Sequence, residues 1–381
     1  MPDPGHVALG AWSGGRFMHF GEAVPEERLE ALLRPGGGIS TVLTADVYGQ
    51  GEADLLVGRS VSGVPRDSYC LVGAVGHDFI EGERDGPRGF PRFTDPSLRG
   101  PEGYRDYLVG AVEASLSRCG VSSFDLLLLH NPDRLGYTSP AVWEALEEVR
   151  SSGLTRSLGI APGPANGFTL DLISCLERFG DSIDWAMVIL NPLEPWPGEL
   201  VLAAAEAHDV RLITRVVDYG GLFWDALRPE HELERRDHRS FRPAGWVAAG
   251  LERMEPMRPV AERHGLTMGQ LACAWNLAHP AVACAVPTLI QEAFDGAPPI
   301  EDQRAQLAAV PAESPLSDED VAAIRAAGDN TGSMALKGAH PDHEGPERPD
   351  RWALQPGQDE LAARWGIDSS TDLAAHAPTA G

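Results

Sequence analysis

Tyr48 stands in a glycine-flanked turn, "DVYGQG", directly after an apolar run at 39–44. His130 closes a second apolar run, "FDLLLLH", where an apolar residue would be cheaper to bury. A phenol and an imidazole at the carboxyl ends of two strands, turned to one cavity, could polarise a carbonyl and move a proton. A lone histidine in that place is more often a hydrogen-bonded rim residue, so the pairing with Tyr48 carries the reading. Further polar groups follow other apolar runs: Trp12, Asp46, His77, Asp78, Asn131, Asn191, Asp218 and Tyr219. Read together they ring one mouth, and many hydroxyl-matching groups beside one aromatic wall suit a small sugar- or polyol-like carbonyl compound.

The elements that must position these residues are legible as alternation. Strand-like runs occur at 7–11, 39–44, 69–75, 124–130, 156–161, 185–190, 210–215 and 283–287. Amphipathic helical patterns separate them, clearest at 104–119, 141–152, 200–208, 254–264 and 268–279, with glycine stops at Gly120 and Gly153. Eight such units with no break in composition predict an α/β fold, a single-domain (β/α)8 TIM barrel over 1–313, with chemistry at the carboxyl ends of the strands. An open doubly wound sheet is the alternative. The Gly-, Pro- and Arg-rich stretch 81–103 reads as a long loop on the catalytic face. The segment 314–381 reads as a C-terminal helix and extension that packs on the barrel through Trp352 and Trp365, its last ten or so residues disordered.

The formal net charge of −25 argues against nucleic acid and against an anionic membrane surface, which both demand a basic face. No apolar run is long enough to span a bilayer, and no signal peptide is evident at the start. The 5 cysteines form no C-x-x-C pair and sit mostly in apolar runs, as reduced buried thiols do. These features predict a cytoplasmic protein, a monomer or small homo-oligomer, acting on a small molecule. "KGAHPDHEG" groups His340, Asp342, His343 and Glu344, but a proline-rich loop with no further ligand reads as solvated, so no metal is expected. "GQG" at 49–51 lacks the third glycine of a dinucleotide fingerprint and reads as a turn. "DHRSFRP" at 237–243 lies in a long insertion that either shapes the substrate pocket or covers the surface.

Several segments taken together resemble the aldo-keto reductase superfamily from about residue 7 to 326. They are "VALGAWSGG", "TADVYGQGEADLLVG", "GAVEASLSRCGVSSFDLLLLHNPD", "GLTRSLGIAPG" and "ITRVVDYGGLF". The resemblance implies a (β/α)8 barrel and four catalytic residues: Asp, Tyr, Lys and His. Tyr48 and His130 match the last three's uncharged members, whereas Leu43 stands in the place of the Asp and Ala74 in that of the Lys. Losing both members of a buried charged pair together is the stable way to abandon it. The resemblance also implies positions for NADP(H): Arg215 against the nicotinamide, Met187 and Ala161 near its carboxamide, and Thr288 at the start of the 2′-phosphate segment. Pro162 beside Ala161 has no N–H to donate, and carboxylates precede Arg304, the first arginine of that last segment.

The expectation is therefore a non-redox enzyme on a reductase barrel, carrying out dehydration, elimination or isomerisation through Tyr48 and His130 with no cofactor. The alternative is an NAD(P)H-dependent reductase of a carbonyl or sugar substrate with non-standard catalytic residues. A third reading is a non-catalytic binding or regulatory protein, since the family also resembles potassium-channel β subunits.

Overall fold

The computed structural model describes residues 2–86, 89–163 and 167–375. Eight parallel strands follow one another around a barrel: β1 (Ala8–Gly10), β2 (Thr41–Leu43), β3 (Cys70–Val75), β4 (Phe124–His130), β5 (Thr155–Ala161), β6 (Trp185–Ile189), β7 (Arg211–Arg215) and β8 (Val282–Val286). Closure comes through a parallel bridge between Val7 and Ala285, where the Ala285 amide donates to the His6 carbonyl at 2.8 Å. The strands are nearly continuous apolar runs because helices cover one face and the barrel interior the other. All seven residues of β4 are buried.

The interior is a packed plug of Ala8, Leu43, Cys70, Val72, Ala74, Leu126, Leu128, Trp185, Met187, Ile213, Cys284 and their neighbours. Leu43 and Ala74 belong to this plug, so the two places where the resemblance implies a charged pair are filled by apolar side chains. Around it lie α1 (Glu26–Leu33), α2 (Glu52–Val61), α3 (Tyr104–Cys119), α4 (Arg134–Thr138), α5 (Pro140–Ser151), α6 (Thr169–Phe179), α7 (Leu202–Ala207), α8 (Trp246–Met254), α9 (Arg258–Arg263), α10 (Met268–Leu277) and α11 (Ile300–Ala308). α3 stops at Gly120, whose φ of 68° is one that a side chain would strain. The single helix expected at 254–264 is instead a 3-10 turn, Glu255–Met257, followed by α9. Pro256 and Pro259 carry no amide hydrogen for a continuous α-helical ladder.

The C-terminal extension opens with α12 (Asp318–Ala327), whose Ser317 and Asp320 form a reciprocal capping box. Two short parallel strands, β9 (Gly338–His340) and β10 (Arg351–Ala353), and α13 (Gln358–Arg364) complete it. Asp171 on α6 anchors this unit. Its carboxyl accepts from the Ala339 amide at 2.8 Å and the Trp352 indole at 2.9 Å. Burial raises its pKa to about 6 against those hydrogen bonds. Trp352 is thereby buried, and Trp365 donates to Glu177 at 2.9 Å. Most of the tail end expected to be disordered lies outside the described residues. All five cysteines are free and buried. Among the described residues no helix is long and apolar enough to cross a membrane.

Candidate active site

The carboxyl end of the barrel brings Tyr48 and His130 together. Their rings meet edge to face with centroids 5.7 Å apart. Tyr48 is aimed by the turn after β2, where Gly49, Gln50 and Gly51 all take positive φ (59°, 53° and 97°) before α2 begins. A side chain at Gly51 would also drive into the Arg118 guanidinium at 2.6 Å. His77 joins from the end of β3, its ring centroid 5.1 Å from that of His130. Gly76 makes this approach possible, because a Cβ there would lie 2.3 Å from the His130 carbonyl oxygen.

His77 and His130 are buried and Tyr48 is half-buried. The Nδ1 atoms of His77 and His130 have no hydrogen-bond partner among the described residues. Burial, the Arg92 charge and the Arg215 charge hold the His130 imidazole neutral, with its pKa lowered to about 3. His77 lies well below its ordinary value, for burial and the Arg92 charge again. Burial pushes the Tyr48 phenol up, and the Arg215 charge offsets part of that. The pocket at neutral pH thus presents an un-ionised phenol and two un-ionised imidazoles. Trp12 lies flat over Gly10, where a Cβ would fall 2.4 Å from the indole, and packs with Tyr48 on top of the plug.

Arg215 leaves the end of β7 and donates through Nη2 to the carbonyls of Pro162 (3.2 Å) and Gly163 (2.5 Å). No carboxylate pairs with it among the described residues. It borders a cleft lined by Pro162, Gly163, Phe168, Met187 and Val188 at the ends of β5 and β6. The turn beyond is unusual: Val216 has φ 58° and Tyr219 φ 49°, conformations that β-branched and aromatic residues avoid. Asn191 holds it by donating to the Val216 carbonyl at 3.0 Å, while its own Oδ1 receives the Leu193 and Glu194 amides.

Several expected substrate groups have other work. Asn191 is spent on those loop bonds. Asp78 accepts the amides of Ile80 and Glu81 and pairs with Arg99, anchoring the loop after β3. Asp218 accepts the Gly221 amide at 2.7 Å and the Thr288 amide at 2.7 Å. Tyr219 is packed under the Arg242 guanidinium, 4.1 Å from the ring centroid. Asp46 is fully buried, and burial together with Asp54 raises its pKa well above the carboxylate range. Its charged neighbours are Asp54, Arg118 and Asp78, so it faces the α2 and α3 side of the wall. Of the ring of polar groups expected at the mouth, the structure thus places Trp12, His77 and Asn131 beside Tyr48 and His130, and gives Asp46, Asp78, Asn191, Asp218 and Tyr219 places in the wall and the loops. Asn131, at φ 47°, turns the chain just past His130, and its carbonyl accepts from Arg92 Nε.

Of the positions expected to hold a nicotinamide cofactor, Ala161 and Met187 are buried in the plug, and Arg215 and Met187 both line the cleft. Apolar side chains beside one guanidinium unpaired by any carboxylate are the chemistry that a planar ring with adjacent anionic groups calls for. The β8 exit differs. Thr288, Leu289 and Ile290 give their amides to Asp218, Ser13 and Gln303, and Arg239 lies between Asp237 and Glu292. Among the described residues no unpaired cation is left at that exit for a 2′-phosphate. Sequence reasoning missed two groups near the site, Arg92 and Tyr137. Arg92 lay in a loop whose composition flagged the whole stretch but no single residue, and Tyr137 lay beyond the strand end in a short helix.

The chain matches the aldo/keto reductase family over residues 6–329. It belongs to that family. A 6-dehydroglucose reductase of Agrobacterium fabrum is 23% identical over 286 residues, spanning 72% of this chain and 81% of that protein. A D-threo-aldose 1-dehydrogenase of Pseudomonas sp is 28% identical over 175 residues, 41% of this chain, and the match spans only 53% of that relative's length. A Klebsiella pneumoniae aldo-keto reductase solved with NADPH superposes with a TM-score of 0.56 at 22% identity, covering 85% of this chain and 94% of that one. Among the described residues no group of three or more His, Cys, Asp or Glu could hold a metal ion.

Proposed function

We propose that this aldo-keto reductase family member is a nicotinamide-dependent oxidoreductase that reduces the carbonyl of a small sugar-like substrate, with Tyr48 and His130 as its acid–base pair. The observation that carries this reading is the convergence of the two rings, 5.7 Å apart, beside the Arg215 cleft. Relatives named as sugar dehydrogenases or reductases support it, and the related structure with NADPH makes a nicotinamide cofactor the better reading over none. The dehydration, elimination or isomerisation chemistry expected from the apolar Leu43 and Ala74 finds no support among them.

When bound in the Arg215 cleft, the nicotinamide supplies the hydride. Neutral His130 orients the carbonyl oxygen by donating from Nε2, and Tyr48 O–H donates to the same oxygen. As the carbonyl carbon becomes an alcohol carbon, the Tyr48 proton passes to the oxygen and the tyrosinate recovers a proton from solvent. An alkoxide is far more basic than a phenolate, so a phenol with a raised pKa still gives up this proton downhill. The reverse reaction needs tyrosinate as base, which is scarce at neutral pH. The site therefore favours reduction kinetically, and alcohol oxidation should climb about tenfold per pH unit well above pH 9.

Fluorescence titration of NADH and NADPH, paired with turnover of a panel of aldehyde sugars, tests the reading. Binding at micromolar concentration that weakens in Arg215→Ala, with turnover lost in Tyr48→Phe, is expected. Turnover that proceeds without either dinucleotide overturns it.

A further inference from the structure

Two arginines are buried among the described residues, Arg239 at 2% exposure and Arg92 at 8%. Arg239 is neutralised twice, by Asp237 at 2.8 Å and Glu292 at 2.6 Å. Among the described residues Arg92 has no ion pair, and its guanidinium reaches backbone carbonyls there, Asn131 through Nε and Phe90 through Nη1 at 3.1 Å. The nearest carboxylates are committed elsewhere: Asp133 accepts from Thr94 and Gly136, and Asp350 pairs with Lys337. Taking an unpaired charge out of water is costly even after relaxation.

Arg92 is fixed beside the site. His77 and Arg92 pair in an antiparallel bridge, and Asn131, whose carbonyl Arg92 holds, follows His130 directly. Across the mouth, Tyr137 is 1% exposed and its hydroxyl finds no hydrogen-bond partner among the described residues. Tyr137 stacks on Phe168, centroids 5.8 Å apart, and Phe168 lines the same cleft as Arg215. Asp133 ties the two sides together, accepting from Thr94 beside Arg92 and from Gly136 beside Tyr137, and the charges of Arg92 and Arg215 both bear on Tyr137 and on His130. Trp352 of the C-terminal extension packs against Tyr137 and Phe168 and closes the far side.

We propose that Arg92 and the Tyr137 hydroxyl, with Arg215 opposite, form a subsite for an anionic group carried by the carbonyl substrate, a carboxylate or a phosphate ester. The substrate class becomes a sugar acid or sugar phosphate rather than a neutral sugar. This rests on the carbonyl-reductase reading for the reacting end, but the subsite is defined by its own residues. Such an anion supplies the charge that Arg92 lacks, accepts from Tyr137, and sets the carbonyl towards Tyr48 and His130. In a chain of net charge −25, long-range attraction does not help an anion, so recognition depends on these local donors.

Calorimetry on the cofactor-free protein tests the subsite independently of hydride transfer, using D-glucose, D-glucuronate and D-glucose 6-phosphate as probes. At least one anionic probe should bind about tenfold or more tighter than glucose, the tighter of the two naming the source of the charge. Tyr137→Phe should weaken that probe about threefold or more without lowering the thermal midpoint, because its hydroxyl has no partner to lose. Arg92→Gln should abolish the advantage and Arg92→Lys restore part of it. In the unmodified protein, the saturating anion should raise the pKa of His130 measured by nitrogen NMR by at least about one unit. Equal affinity for all three probes, or an anion advantage untouched by Tyr137→Phe and Arg92→Gln, overturns the proposal. Failure of carbonyl reduction with this anion preference intact would instead fault the hydride reading alone.

Discussion

The mouth of the barrel over β3 to β6 and the exit of β7 and β8 are built from the same residue types but on opposite principles. In the turns beyond β7 and β8 the buried polar groups are paired among the described residues. Asp218 accepts two amides, Gln303 both accepts from and donates to Ile290, and Arg239 is held by two carboxylates. At the mouth the Nδ1 atoms of His77 and His130 and the Tyr137 hydroxyl have no hydrogen-bond partner among the described residues, and Arg92 reaches backbone carbonyls but no carboxylate there. Satisfied polar groups hold a fold; unsatisfied buried ones are kept where a ligand completes them. The comparison separates residues whose removal costs stability from residues whose removal costs chemistry.

The largest effect should come at the satisfied end. Arg239→Met strands Asp237 and Glu292 in a buried site and should lower unfolding free energy by about 3–5 kcal/mol in a denaturant titration. A loss under about 1 kcal/mol would mean the exit is no tighter than the mouth. Tyr48→Phe breaks the other end: carbonyl reduction should fall by about 100-fold or more, with stability unchanged in the same titration. A stability loss with activity retained would reverse the two assignments.

His130 adds a pH signature. Its folded pKa is about 3 against an unfolded value near 6.5, so the folded state binds fewer protons between these limits. Its neutral burial costs nothing above about pH 6.5, and stability is lost as pH falls from there towards 3, by at most about 1.4 kcal/mol per pH unit. His130→Gln should flatten this part of the pH–stability curve, whereas a slope that persists undiminished would assign it to other groups. The smallest effect concerns the cofactor. With no unpaired cation at the β8 exit among the described residues, NADPH should bind no more than a few-fold tighter than NADH. A preference for NADPH above tenfold would require a phosphate site that the satisfied exit lacks.

Much of this comparison was legible in the sequence, and unevenly. Strand ends such as His130 were readable because a parallel barrel strand is a bounded apolar run, and Phe124–His130 is bounded by Ser123 and Asn131. Tyr48 was readable from its glycine turn. What a polar residue does after its strand was not: Asp78, Asn191 and Asp218 look alike as loop residues, yet their partners lie 2 to 70 positions away. Arg92 and Tyr137 were hidden for the same reason, since lacking a partner is a property of the folded neighbourhood. The apolar Leu43 and Ala74 were legible as residues, but the non-redox chemistry read from them finds no support in the relatives, which are named as dehydrogenases and reductases.

The most direct measurement follows the hydride. The protein is incubated with dinucleotide deuterated at the transferable position of the nicotinamide and with an aldehyde sugar panel that includes acidic sugars, and the products are read by NMR. The account predicts deuterium on the former carbonyl carbon, with Tyr48→Phe suppressing product. Product that forms without deuterium, or forms equally well with no dinucleotide present, would contradict it.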